Sequence, residues 1–208
     1  MKTFTKTIQS PRLVIFHDEN ADNPRLNDGS IGFFLTKEKH YYSPDSIDNP
    51  LYRLMLDTEQ EATNVEEHIK LMKDAAHEMF MASAPKDGNN HDESLHVIDI
   101  YPITCYEHGN ISYKLGKHEG FDYSCCGFYF VTAQGLEGGL FTKEKIEKTI
   151  RKELEIYSQF VNGEVYGFTL YDENGVVIED AFGLYDVKDA LKYLPDEWKN
   201  ENFDDYLV

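Results

Sequence analysis

The groups in this chain that could do chemistry are eight histidines, three cysteines and 38 carboxylates. Local His–carboxylate pairs occur at His17-Asp18-Glu19, His91-Asp92-Glu93, Glu107-His108 and His118-Glu119. A zinc site needs three or four converging ligands, and no HxH, HExxH or helical HxxxH spacing supplies them. Asp172-Glu173-Asn174-Gly175 lacks the alternating acidic spacing of a calcium loop. Cys105, Cys125 or Cys126 could be written with His108 as a thiol–imidazole pair. Two adjacent cysteines opening an apolar strand read instead as small buried hydrophobes. There is no G-x-S-x-G elbow and no GxGxxG. Gly135-Leu-Glu-Gly-Gly lacks the Lys-Ser/Thr ending of a phosphate loop. The expectation is therefore no catalytic residue, no metal and no cofactor, and a chain that is not an enzyme.

Charge is the stronger signal. Asp and Glu total 38 against 20 Lys and Arg, a formal net charge of −18 over 208 residues. Such a field repels nucleic acid and anionic membranes and attracts basic surfaces. With 13 Phe and 14 Tyr, the chain is too rich in aromatics for a disordered acidic tail, so the charge sits on a folded surface. It is also unevenly placed. Residues 164–208 hold twelve carboxylates against Lys188, Lys192 and Lys199, which leaves −9. A second cluster is Asp57, Glu59, Glu61, Glu66 and Glu67, with no base between Arg53 and Lys70. The one dense basic run, Lys143-Glu-Lys-Ile-Glu-Lys, is balanced by glutamates and reads as a solvated helix face. Direct binding of nucleic acid is not expected.

An odd cysteine count without a CxxC pair is no disulfide framework and fits a reducing compartment. Residues 1–7 contain no apolar run of the signal-peptide kind, and no stretch of about 18 apolar residues suggests a membrane span. The expectation is a soluble, cytoplasmic protein that does not bind membranes.

The elements that would position these groups follow from pattern. Arg12–Phe16 and Ile31–Thr36 read as strands, and Pro50 opens a short helix over Leu51–Leu56. Thr63-Asn-Val-Glu66 matches a capping box, and Val65, Ile69, Met72, Ala76, Met79 and Phe80 predict a helix over Asn64–Ala82. Leu95–Tyr106, Ile111–Leu115 and Cys125–Thr132 read as strands. The last is continuously apolar, hence central. Pro102 argues for an edge position or a bend. Thr142 caps a long helix with Ile146, Ile150, Leu154, Tyr157 and Phe160 on one face, ended by Asn162-Gly163. Glu164–Leu170 and Val176–Glu179 form a hairpin around Asn174-Gly175. Asp186 caps a short helix, Val187–Leu194. Gly32-Phe-Phe-Leu-Thr-Lys-Glu-Lys echoes Gly139-Leu-Phe-Thr-Lys-Glu-Lys, and Gly127-Phe echoes Gly167-Phe. Together these give one α+β domain over residues 1–208. Two long amphipathic helices pack on a mainly antiparallel sheet, and the polar loop at 84–94 is the one candidate boundary.

Three stretches carry a family resemblance. They are Asp22-Asn-Pro-Arg25, Tyr101-Pro-Ile-Thr-Cys-Tyr-Glu-His-Gly-Asn-Ile-Ser112, and the segment Leu154–Phe168 within Lys152-Glu-Leu-Glu-Ile-Tyr-Ser-Gln-Phe-Val-Asn-Gly-Glu-Val-Tyr-Gly-Phe168. Together they resemble an uncharacterised family of acidic proteins carried by phages and other mobile elements. The chain departs from that family at Phe121-Asp-Tyr-Ser-Cys-Cys-Gly and Glu179-Asp-Ala-Phe-Gly-Leu-Tyr, where the family has Trp and Cys. The resemblance implies a mobile-element origin and brings no catalytic residue.

Charge and resemblance together predict an anti-defence protein. It would occupy the basic nucleic-acid groove of a host nuclease, a restriction enzyme or CRISPR effector, in the limit as a DNA mimic. The acidic surface is assigned to Asp172, Glu173, Glu179, Asp180, Asp186, Asp189, Asp196 and Glu197. Candidate apolar anchors are Tyr171, Tyr185 and Trp198, since charge sets on-rate and selectivity more than affinity. The alternative is an acidic accessory or regulatory protein of a mobile element, with a protein partner that is no nuclease. The sequence leaves the oligomeric state open.

Overall fold

A computed structural model describes residues 4–6, 12–26, 29–37, 43–83, 92–118, 123–137, 139, 141–186 and 196. The class is α+β, with antiparallel strand pairing throughout the described residues. The strands form two four-stranded sheets. The chain divides into two compact units, one formed by Met1–Asn23 with Gln159–Val208, the other by Pro24–Ser158. The divisions fall near residues 23 and 158; residues 84–91 of the 84–94 loop lie outside the described ones.

The Pro24–Ser158 unit is built on the sheet order β3 (Gly32–Thr36), β6 (Tyr123–Thr132), β4 (Val97–His108), β5 (Asn110–Leu115). Alternation along β6 divides its aromatics between two faces. Phe128 and Phe130, with Leu35 and Ile100, pack against α1 (Pro50–Glu59) and α2 (Val65–Ala82) through Leu51, Leu54, Met55, Met72 and Ala76. Tyr129 turns the other way, toward α3 (Lys143–Val161), and its hydroxyl donates to Glu153 at 2.6 Å. On that same face Tyr157 of α3 meets the rings of Phe34 and Tyr113 edge-on or tilted. Helices on both faces explain the apolar run Cys125–Thr132: Cys125 is partly buried and every residue from Cys126 to Thr132 is buried. Gly127, like Gly32, permits a close backbone approach. A Cβ there would lie 2.0 Å from the Leu35 carbonyl oxygen on β3.

Two local expectations shift. The cap of α2 is Asn64, one residue later than the pattern suggests. Its side chain accepts from the Glu67 amide at 2.9 Å, and Glu67 in turn accepts from the Thr63 amide at 2.8 Å and from the Thr63 hydroxyl. Pro102 stands in β4, an interior strand paired with both β6 and β5. It is tolerated because the β5 ladder begins only at Ile103–Leu115, so no ladder bond requires its missing N–H. The Gly32 echo is no structural repeat: Gly32 opens a strand, whereas the Gly139 segment runs into α3.

In the other unit the sheet order is β1 (Phe4–Lys6), β2 (Arg12–His17), β7 (Tyr166–Tyr171), β8 (Val177–Leu184). Leu13, Ile15, Phe168 and Leu170 share one face through the pairings Leu13–Leu170 and Ile15–Phe168, and all four are buried. Among the described residues no helix is long and apolar enough to cross a membrane.

Candidate functional site

Two places bring charged side chains together. The first lies in the Pro24–Ser158 unit. The turn at Pro24–Leu26 aims Arg25 inward, where its side chain is 3% exposed. Its guanidinium donates to Asp45 at 2.8 Å, to the Gly32 carbonyl at 2.7 Å and to Glu153 of α3. Burial alone would lower the pKa of Arg25, but Tyr129, Asp45 and Glu153 together raise it above its ordinary value. Burial pushes the Asp45 carboxyl up against the pull of Arg25. The Tyr129 phenol is driven well up, chiefly by burial, and Tyr157 is pushed up to about 12 by burial and by Asp45.

An open cavity of about 540 Å³ borders this cluster, with Phe33, Gln134, Glu137 and Phe141 among its walls. Arg25, Asp45 and Glu153 are turned on one another, so the arrangement ties the Pro24 turn, β3 and α3 together. Nothing in Asp22-Asn-Pro-Arg25 marks Arg25 for this place. A lone arginine after Asn-Pro carries no sign of burial.

The second place is the β7–β8 hairpin of the other unit, where the assigned acidic residues concentrate. The Asp172 carboxylate accepts from the amides of Asn174 and Val176, each at 2.8 Å. These bonds hold its pKa below the usual carboxylate range. Gly175, at φ +79°, completes the turn. Asp172 therefore shapes the hairpin. Glu173 sits exposed at its tip, and Glu179 and Asp180 are exposed on β8. Being adjacent in a strand, those two point to opposite faces. Asp186 is exposed just past the strand. Asp196 is exposed, while Asp189, Glu197 and Trp198 lie outside the described residues, as does the helix expected over Val187–Leu194. Tyr171 and Tyr185 are partly buried. Tyr171 is paired across both neighbouring strands, and the Tyr185 carbonyl accepts from Gln159 at 3.1 Å.

The two acidic clusters differ in how far they are neutralised. In the 57–67 cluster Glu59 pairs with Lys37, Glu66 with Lys117 and Asp57 with Arg53, while the Glu67 carboxylate accepts from the Thr63 amide and hydroxyl. Lys37 and Lys117 are distant in sequence, so the sequence shows this cluster as unrelieved. On the hairpin, residues 171–186 carry five carboxylates and no Lys, Arg or His. Among the described residues Glu173, Glu179 and Asp180 make no ion pair.

Sequence reasoning missed the apolar half of this ribbon. Val176, Val177, Ile178 and Phe182 are each at least half exposed. The signal was the unalternated run Val176-Val177-Ile178, since adjacent strand residues cannot all face one core. Among the described residues no group of three or more His, Cys, Asp or Glu converges as metal ligands would. No protein-family model matches the chain, and neither curated proteins nor solved structures give a match.

Proposed function

We propose that this is a mobile-element anti-defence protein that occupies the basic nucleic-acid groove of a host nuclease through the acidic β7–β8 hairpin. The supporting observation is that Glu173, Glu179 and Asp180 are exposed, on a ribbon without a single base, and make no ion pair among the described residues. A cluster in which three of five carboxylates hold ion pairs, as at 57–67, has less field left to steer a partner. The hairpin keeps its field. Charge spacing limits the kind of mimicry. β8 presents one carboxylate to each face, while duplex DNA shows about one charge per 1.7 Å of axis. The ribbon therefore competes for the groove by complementarity of sign and shape, without copying the phosphate ladder.

The test is protection of plasmid DNA from a panel of restriction and RNA-guided nucleases at low and at roughly 1 M salt, where charge attraction is screened. Salt-sensitive inhibition of one class supports the reading, and absence of inhibition across the panel removes it. The exposed apolar side chains of the ribbon equally favour a second reading, an acidic accessory protein whose partner is no nuclease. A pull-down that recovers a partner without nuclease activity, lost on charge reversal of the hairpin, would establish it.

A further inference from the structure

Eight large hydrophobic side chains are exposed among the described residues, and four of them fall within seven positions of one strand region: Val176 at 61%, Val177 at 50%, Ile178 at 52% and Phe182 at 58%. Scattered singly, such residues need no explanation. Gathered on the outermost strand of a sheet, beside Glu179 and Asp180, they form a mixed acidic and apolar surface.

The local backbone decides how that surface can be used. Between the pairings Tyr171–Val177 and Leu170–Glu179, β8 holds one residue more than β7, namely Ile178. Between Phe168–Ala181 and Tyr166–Leu184 it holds one more, in the Phe182-Gly183 step. Two bulges in eight residues break the straight edge that a further strand would need. Each bulge carries an exposed apolar side chain, and Phe182 is steadied by the Phe16 ring at 5.6 Å. The bulges thus blunt the edge and display apolar anchors at the same two points.

We infer that β8 docks, through Ile178 and Phe182, into an apolar pocket flanked by basic residues on a partner protein. This deepens the proposed function and rests on it for the partner's basic character. Charge complementarity selects this occupant over a second copy of the chain. Two copies of the ribbon would oppose five carboxylates to five with no base on either, and like charges placed face to face are destabilising. The anchors supply what charge does not, because rim charges set on-rate whereas buried apolar residues govern dissociation.

The experiment uses the whole chain and two octapeptides of equal charge, one alternating lysine with leucine and the other lysine with serine. Binding is measured at low and high salt. The lysine–leucine peptide should bind at least about tenfold tighter, the effect of burying one such side chain, and should keep that advantage at high salt. Ile178→Ser and Phe182→Ser should each erase the advantage while leaving the lysine–serine peptide unchanged. Ile178→Ser guards against loss of the Phe16 contact, and thermal melts confirm folding of both. Equal binding of the two peptides, or an advantage indifferent to both substitutions, would overturn the inference. So would concentration-dependent dimerisation abolished by the same substitutions, which would make a second copy the occupant. If the peptide pattern holds and no nuclease is inhibited, the docking surface stands and the nuclease reading fails. If a nuclease is inhibited equally by wild type and both variants, the inference fails and the nuclease reading stands.

Discussion

Arg25 shows how much one buried charge can constrain. It bridges Asp45 and Glu153, from a loop and from α3, and takes the Gly32 carbonyl as well. Removing the guanidinium would leave two largely buried carboxylates without their shared partner, so Arg25→Ala should cost about 3–5 kcal/mol. Arg25→Lys, which keeps the charge but not the fork, should cost less. Urea midpoints of the two variants check this order. His68 gives a pH-dependent counterpart. Its Nε2 lies 2.9 Å from the Met55 carbonyl, which can only accept, so Nε2 carries the proton. Burial lowers the pKa of this imidazole from 6.5. The unfolded chain therefore takes up the proton first as pH falls. Stability from this group is complete above pH 6.5 and is lost as pH falls through the folded value. A pH series of thermal melts should show this decline in wild type and a flatter profile in His68→Gln.

At the scale of elements, hydrophobic period carried most of the information. The α3 face of Ile146, Ile150, Leu154 and Tyr157 is the buried face, and the continuous run in β6 is the doubly covered strand. What misled were details set by tertiary pairing. Pro102 suggests an edge position or a bend; the edge fails because β4 is interior, while a register shift lies one residue on, between Ile103 and Thr104. The division of the strands between two sheets depends on β2 pairing with β7, some 150 residues onward. No local pattern encodes such a partner. Replacing Gly127 is a direct check on the β3–β6 pairing. Gly127→Ala would drive a methyl into the Leu35 carbonyl and should cost about 3 kcal/mol, the upper range for overpacking. A comparable loss should not follow from Gly109→Ala, where a Cβ meets nothing within 4 Å and only the strain of a positive φ, about 1–2 kcal/mol, applies. Denaturant midpoints of the two variants decide it.

For the molecule as a whole, the net charge of −18 matters less than where neighbours cancel it. The sequence shows two acidic clusters and cannot rank them, because Lys37 and Lys117 reach the first only through the fold. The hairpin cluster was legible because its 16 residues contain no base at all. Its apolar component was not, since exposure of Ile178 and Phe182 follows from bulges that appear only when β8 is paired with β7. The central claim is that this ribbon is the partner surface. The most direct test compares wild type with the variant Glu173→Lys, Glu179→Lys, Asp180→Lys in the nuclease-protection assay at low salt. All three positions are exposed and make no ion pair among the described residues, so the fold should survive. The account predicts that wild type protects DNA from one nuclease class and that the charge-reversed protein, with an unchanged melting temperature, does not. Equal protection by both proteins would contradict it and move the partner surface elsewhere on the molecule.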